Sequence, residues 1–274
     1  MSKYLIKGAS LYGEKVADIL IEDGVISRIA ENIDAADAQV VEAAGQVALP
    51  GLVDIHTHLR QPGYEASETV ETGTRAAALG GYTAVFAMAN SMPVADTAAV
   101  VEQVDRLGKE SAWCRVQPIG AVTVGLKGER LSDIGGMANS TANVRVFSDD
   151  GMCVYDPAVM RRALEYVKTF DGVIAQHAQE PRLTEGAQMN EGKVSADLGL
   201  AGWPAVAEEA IIARDVLLAE HLDSKLHICH LSTKGSIEVV RWAKSRGVKV
   251  TAEATPHHLL LTDETARTYD PVFK

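Results

Sequence analysis

Leu52-Val-Asp-Ile-His-Thr-His58 is a short apolar run that closes on two histidines one residue apart. Side chains on a strand alternate with period two, so His56 and His58 lie on one face. Two neutral imidazoles on one face are placed to grip a single Zn²⁺-like ion. The pattern of an apolar run closed by a polar group recurs down the chain. Asn90 follows Thr83-Ala-Val-Phe-Ala-Met-Ala89, and Asp149-Asp150 follows Asn143-Val-Arg-Val-Phe-Ser148. His177 closes Gly172-Val-Ile-Ala-Gln-His177, and His230 closes Lys225-Leu-His-Ile-Cys-His230. Glu253 ends Gly247-Val-Lys-Val-Thr-Ala-Glu253, with His257-His258 just beyond.

Helical signals fill the gaps. They cover Thr69–Leu79, stopped by Gly80-Gly81, and Thr97–Lys109, which precedes a further strand at Cys114–Gly120. Asp156–Thr169 follows, with Asp156 as N-cap and Pro157 at the first helical position. Pro204–His221 and Ser232–Arg246 complete the set. Seven strand-then-helix repeats imply parallel strands with helical crossovers, in either a doubly wound open sheet or an eight-stranded barrel. The polar residues decide between them. In a barrel the C-terminal strand ends converge on one face, where such enzymes keep their active sites. In an open sheet the first and sixth strands lie too far apart to share a site. The expected fold is therefore α/β, a (β/α)8 TIM barrel over residues 51–274.

Residues 1–50 have a different texture. Tyr4–Gly8, Val16–Ala30 and Gln46–Leu49 read as short strands, with Asp23-Gly24 as a hairpin turn and a weak Ala-rich patch near Asp34. This is a small β-module, too short to bury a core alone.

Composition bounds the function. The net charge of −11 argues against a nucleic-acid partner, which needs clustered Lys and Arg, but not against a small anion held by local arginines. No apolar stretch reaches membrane-span length, and Met1-Ser-Lys-Tyr-Leu5 lacks the apolar core of a signal peptide. Cys114, Cys153 and Cys229 cannot all pair, which fits reduced thiols and a cytoplasmic location.

The strand-end set implies a chemistry. A carboxylate in Ser148-Asp149-Asp150-Gly151 can bridge two cations, with His56 and His58 on one and His177 and His230 on the other. Two ions about 3.5–4 Å apart hold a hydroxide between them and lower its pKa towards neutrality, while one polarises a carbonyl. Such a site suits hydrolysis of an amide-type bond, or the reverse. His221 and His227 read as packing or surface residues, and Cys114 and Cys229 as buried structural thiols. Cys153 has no adjacent base and is not read as a nucleophile. His257-His258 read as groups that steady a ligand or a loop.

Leu49-Pro-Gly-Leu-Val-Asp-Ile-His-Thr-His-Leu-Arg-Gln-Pro-Gly63 resembles the first signature of the dihydroorotase family within the amidohydrolases. Met88-Ala-Asn-Ser-Met-Pro93, Phe147-Ser-Asp-Asp-Gly151, His230-Leu-Ser-Thr233 and Ala252-Glu-Ala-Thr-Pro-His-His-Leu-Leu-Leu-Thr-Asp-Glu264 fit it as well. The similarity is to the long bacterial type, one of which associates with aspartate transcarbamoylase. The resemblance implies a metal-dependent cyclic amidohydrolase of pyrimidine biosynthesis. It implies reversible conversion of dihydroorotate to N-carbamoyl-L-aspartate, and a homo-oligomer. It implies two zinc ions, held by His56 and His58 on one side and His177 and His230 on the other. Asp150 rather than Asp149 bridges them by its spacing to His177, and Arg60 and Asn90 bind the substrate carboxylate. Dihydropyrimidinases, hydantoinases and allantoinases share the His-x-His start but bridge their metals with a carboxylated lysine. Val144-Arg-Val-Phe-Ser-Asp-Asp-Gly151 contains none. Departures from the family pattern fall at Gln61, often Glu, and Ala178-Gln179, often Cys-Glu.

The family also carries an aspartate after an eighth strand, in a Thr-Asp-His-Ala-Pro-His-like motif, as metal ligand and proton shuttle. No such motif occurs in these residues. The expectation is thus a barrel incomplete at its eighth strand, a general base beyond Lys274 and none within the chain. An N-terminal module that forms part of a composite β-sandwich, an exposed barrel edge and impaired activity go with it. A non-catalytic subunit supporting aspartate transcarbamoylase is the alternative from another class.

Overall fold

The computed structural model describes residues 2–273 and falls into two compact units, with the boundary after Leu52.

In the first unit, β1 (Lys3–Leu11) pairs antiparallel with β2 (Lys15–Glu22), which pairs with β3 (Val25–Ala30). Asp23 and Gly24, at φ 49° and 80°, make the tight turn between β2 and β3. On its other edge β1 runs parallel to β4 (Gln39–Glu42) and β5 (Val47–Ala48). The Ala-rich patch near Asp34 is not helical. It is a loop fixed by Asp18, whose carboxylate accepts from the Ile33 and Gly8 amides at 3.0 and 2.8 Å. Leu5, Leu20 and Ile33 form its small core.

In the second unit, strands and helices alternate. They are β6 (Leu52–Thr57), α1 (Val70–Leu79), β7 (Tyr82–Ala87), α2 (Ala98–Ser111), β8 (Arg115–Pro118), α3 (Ile134–Asn139), β9 (Val146–Phe147), α4 (Pro157–Lys168) and β10 (Val173–Gln176). A two-residue pair, β11 (Met189–Asn190) with β12 (Gly202–Trp203), brackets α5 (Lys193–Leu198). Then come α6 (Val206–Leu222), β13 (Leu226–Ile228), α7 (Lys234–Ser245), β14 (Val250–Ala252) and α8 (Pro256–Leu260). As its sequence implied, Asp156 caps α4, accepting from the Ala158 and Val159 amides, with Pro157 in the first turn.

The seven strands follow chain order but form two sheets, β6-β7-β8 and β9-β10-β13-β14. A single parallel bridge, Gly120 to Phe147, joins them. A side chain at Gly120 would place its Cβ 2.9 Å from both the Phe147 ring and the Met137 sulfur, so only glycine permits that approach. Among the described residues no ladder joins β14 to β6, so the wall is not closed by backbone pairing. Leu52, Val53 and Ile55 of β6 are exposed.

Alternation sorts the strand residues. Ile174, Leu226 and Ile228 pack outward with Ile211, Ile212 and Val216 of α6. Ala175 and Cys229 point inward with Met88 and Ile119. Among the described residues no helix is long and apolar enough to cross a membrane.

Candidate metal centre

His56 lies on β6 and His58 just beyond it, on the same face. Asn90 follows β7, and its Oδ1 meets His58 Nδ1 at 3.0 Å, which leaves His58 Nε2 facing Asp150 Oδ2 at 3.4 Å. His177 follows β10. Its Nε2 is tied to Gln179 Oε1 at 2.8 Å, so Nδ1 is the nitrogen turned to the centre. Gln179 is fixed in turn by donating to Thr184 Oγ1 at 2.7 Å.

His230 sits differently. Simple alternation would send it outward with Leu226 and Ile228. Its φ of 34° breaks the alternation and swings the ring inward, a conformation costing a non-glycine residue on the order of 1–3 kcal/mol. The loop is held by Glu208, a buried α6 carboxylate that accepts from the Ser232 and Thr233 amides and the Ser232 hydroxyl.

The two adjacent aspartates face apart. Asp150 Oδ1 lies 3.4 Å from His56 Nε2, 3.4 Å from His177 Nδ1 and 3.2 Å from His230 Nε2. Asp149 turns the other way and accepts from the Val122 and Thr123 amides, at 2.7 and 3.0 Å, and from the Thr123 hydroxyl. The chain after Asp150 is pinned by Arg214, which donates to the Val154 and Tyr155 carbonyls. Arg214 also pairs with the fully buried Asp215, whose carboxyl burial pushes up to about 6 despite Arg214 and Gln176.

Four imidazole nitrogens thus converge on one buried carboxylate. Two ligands bound at about 2.0–2.1 Å to one tetrahedral ion stand roughly 3.3–3.4 Å apart, close to these separations. The donor atoms of His56, Asp150 and His230 all lie within 4.8 Å of one another. Nitrogen and carboxylate donors in this array fit a Zn²⁺-like divalent cation.

In the metal-free chain burial works against charge on His56. The Asp150 carboxylate, the Cys229 thiol and Glu253 outweigh it and push its pKa up to about 12. Burial likewise opposes ionisation of Asp150, but His177, His230 and His56 hold its carboxyl far below the usual range. A histidine raised above its ordinary 6.5 stabilises the fold fully below that pH and loses the contribution as pH rises towards 12. Denaturation midpoints of the metal-free chain are therefore expected to fall above pH 6.5, and to fall less in His56→Ala. A midpoint that climbs through that range would contradict the assignment.

The remaining residues also find places. Arg60 is exposed at φ 61°, two residues beyond His58. Burial pushes the Cys153 thiol up to about 12 and the Cys229 thiol up to about 11, so neither is a ready nucleophile. His221 is exposed on α6, while His227 is buried and meets Thr251. His257 and His258 lie in the first turn of α8, with His258 Nδ1 2.9 Å from the Thr255 hydroxyl, and steady that turn.

Residues 45–236 match the family model described as dihydro-orotase-like. The chain belongs to that family. It is 70% identical over 274 residues to the dihydroorotase of Streptomyces coelicolor, covering 100% of this chain and 64% of that protein. It is 54% identical over 270 residues to the dihydroorotase of Mycobacterium tuberculosis, covering 98% of this chain and 63% of that one. The chain thus spans about 64% of the length of such relatives. Among solved structures it resembles L-hydantoinase (dihydropyrimidinase) from Arthrobacter aurescens, with a TM-score of 0.83 at 21% identity, covering 100% of this chain and 63% of that one. It also resembles dihydropyrimidinase from Brevibacillus agri, at 0.76 and 22%, over 99% and 60%. At those identities the likeness is one of fold. As a dihydro-orotase-like chain it presents Asp150, not a lysine, to the histidines.

Glu208 and Gln179 lie outside the strand-end pattern, and Asp149, which is in it, serves the fold instead of the centre. Glu208 sits on a helix, and only the run of backbone amides it accepts from reveals it.

Proposed function

We propose that this chain carries the metal- and substrate-binding part of a dihydroorotase, which reversibly hydrolyses (S)-dihydroorotate to N-carbamoyl-L-aspartate in pyrimidine biosynthesis. The observation that carries the reading is the single buried carboxylate, Asp150, among four imidazoles from three strand ends. His56 and His58 would hold one zinc, and His177 and His230 the other, with Asp150 between them. Bound zinc would supply an acidified water and a Lewis acid for the amide carbonyl. Arg60 would pair its guanidinium with the substrate carboxylate. Asn90, whose Oδ1 is committed to His58, would offer an amide N–H to the same group.

The proton carrier in this reading is an aspartate of a Thr-Asp-His-like motif, which residues 1–274 do not contain. The chain by itself is expected to bind metal and ligand better than it turns substrate over. An eight-stranded barrel, a composite β-sandwich around the N-terminal strands, homo-oligomers and association with aspartate transcarbamoylase belong to the same reading. Co-sedimentation tests the last two.

Ligand binding separates this reading from a hydantoinase-like one. The zinc-loaded chain is expected to bind dihydroorotate and not hydantoin in calorimetric titrations; the opposite preference would overturn it. Arg60→Met is expected to weaken dihydroorotate binding by about 10–100-fold, from one lost charge-assisted contact of roughly 1.5–3 kcal/mol. Unchanged affinity in that variant would remove Arg60 from the carboxylate site.

A further inference from the structure

Glu253 follows β14, with its backbone fixed on both sides. Its N–H donates to the Ile228 carbonyl at 3.1 Å, and its carbonyl accepts from the Leu231 amide at 2.8 Å. Its side chain reaches across to β6, to which no ladder joins β14 among the described residues. There Oε1 lies 2.5 Å from His56 Nδ1 and 3.2 Å from the His230 amide. Oε2 faces His227 Nε2 at 3.2 Å, and His227 Nδ1 meets Thr251 Oγ1 at 2.8 Å.

The polarity at Oε1 is fixed, because an ionised carboxylate only accepts. His227 Nε2 stands 3.2 Å from Oε2 without forming a hydrogen bond to it, so it contributes a close polar neighbour and fixes no proton there. His56 must donate from Nδ1. Its Nε2 is therefore the nitrogen left to face Asp150 at 3.4 Å.

We propose that Glu253, aimed by its two backbone bonds at the end of β14, is a positioning residue for the metal centre. It sets the tautomer and ring plane of His56 and, through the backbone amide, holds His230 in its inward turn. The inference rests on the metal reading above and adds to it a group outside the presumed ligands. Carboxylates that hold the far nitrogen of a ligating histidine typically change metal affinity 10–100-fold when removed.

The test compares wild type, Glu253→Gln and Glu253→Ala as the full 274-residue chain, with folding checked by circular dichroism. Zinc affinity is read by chelator competition, and the His56 Nδ1–H is read as a downfield proton resonance, assigned by its loss in His56→Ala. Glu253→Ala is expected to lose the resonance and to bind zinc about 10–100-fold more weakly. Glu253→Gln keeps an acceptor without the charge and is expected to fall between, so it carries the test if the alanine variant does not fold. Folded variants that keep the resonance and bind zinc within about twofold of wild type would overturn the proposal. A wild-type chain that binds no zinc would instead overturn the metal reading, with the resonance still reporting on the His56–Glu253 bond.

Discussion

Asp150→Asn is expected to abolish stoichiometric zinc binding while leaving the chain folded. The carboxylate is the one group that all four histidines face, at 3.2–3.4 Å. An amide presents one oxygen instead of two and no charge, so it can neither bridge two cations nor balance them. The loss should exceed the roughly 10–100-fold that removing a supporting hydrogen bond costs. The metal-free variant should also lose the elevated proton affinity of His56, because the Asp150 carboxylate is the first of the groups that raise it. Metal analysis after dialysis measures the first effect, and titration of the His56 ring by NMR measures the second. Wild-type zinc content in the variant would remove Asp150 from the centre.

Its neighbour should behave in the opposite way. Asp149→Ala is expected to cost about 3–5 kcal/mol of stability, because it strands the buried Val122 and Thr123 amides and leaves the Thr123 hydroxyl without its acceptor. Against a total stability of roughly 5–15 kcal/mol this is a large fraction, equivalent to a fall in Tm of about 6–20 °C. Burial already raises the Asp149 carboxyl, so the neutral Asp149→Asn should be milder. Urea denaturation gives both values, and an alanine variant within about 0.5 kcal/mol of wild type would sink the assignment. Together the two substitutions separate a residue that serves the ligand from one that serves the fold.

Much of this was legible in the chain because strand ends in a β/α protein carry their chemistry in register. His56, His58, Asn90, His177 and His230 each follow an apolar run, and the structure brings their side chains around Asp150. What escaped was short or carried by groups away from the strand ends. β4, α3 and α5 have too few residues for a hydrophobic period to emerge. The joining of the two sheets depends on the Gly120–Phe147 approach, which only packing reveals. Glu208 acts on backbone amides and has no sequence motif, and the motif that holds Asp149 does not reveal that it acts on backbone amides too. The choice between Asp149 and Asp150 could not be made from alternation, because both lie past the end of β9 in an irregular turn.

The bond from His56 to Glu253 spans 197 positions of sequence. It gives the centre a high contact order, the kind of long-range closure that forms late in folding. During synthesis the first histidine pair emerges long before the residue that orients it, and domains fold as their last elements arrive. The orienting contact of His56 is therefore complete only when residues from both ends of the second unit are in place together.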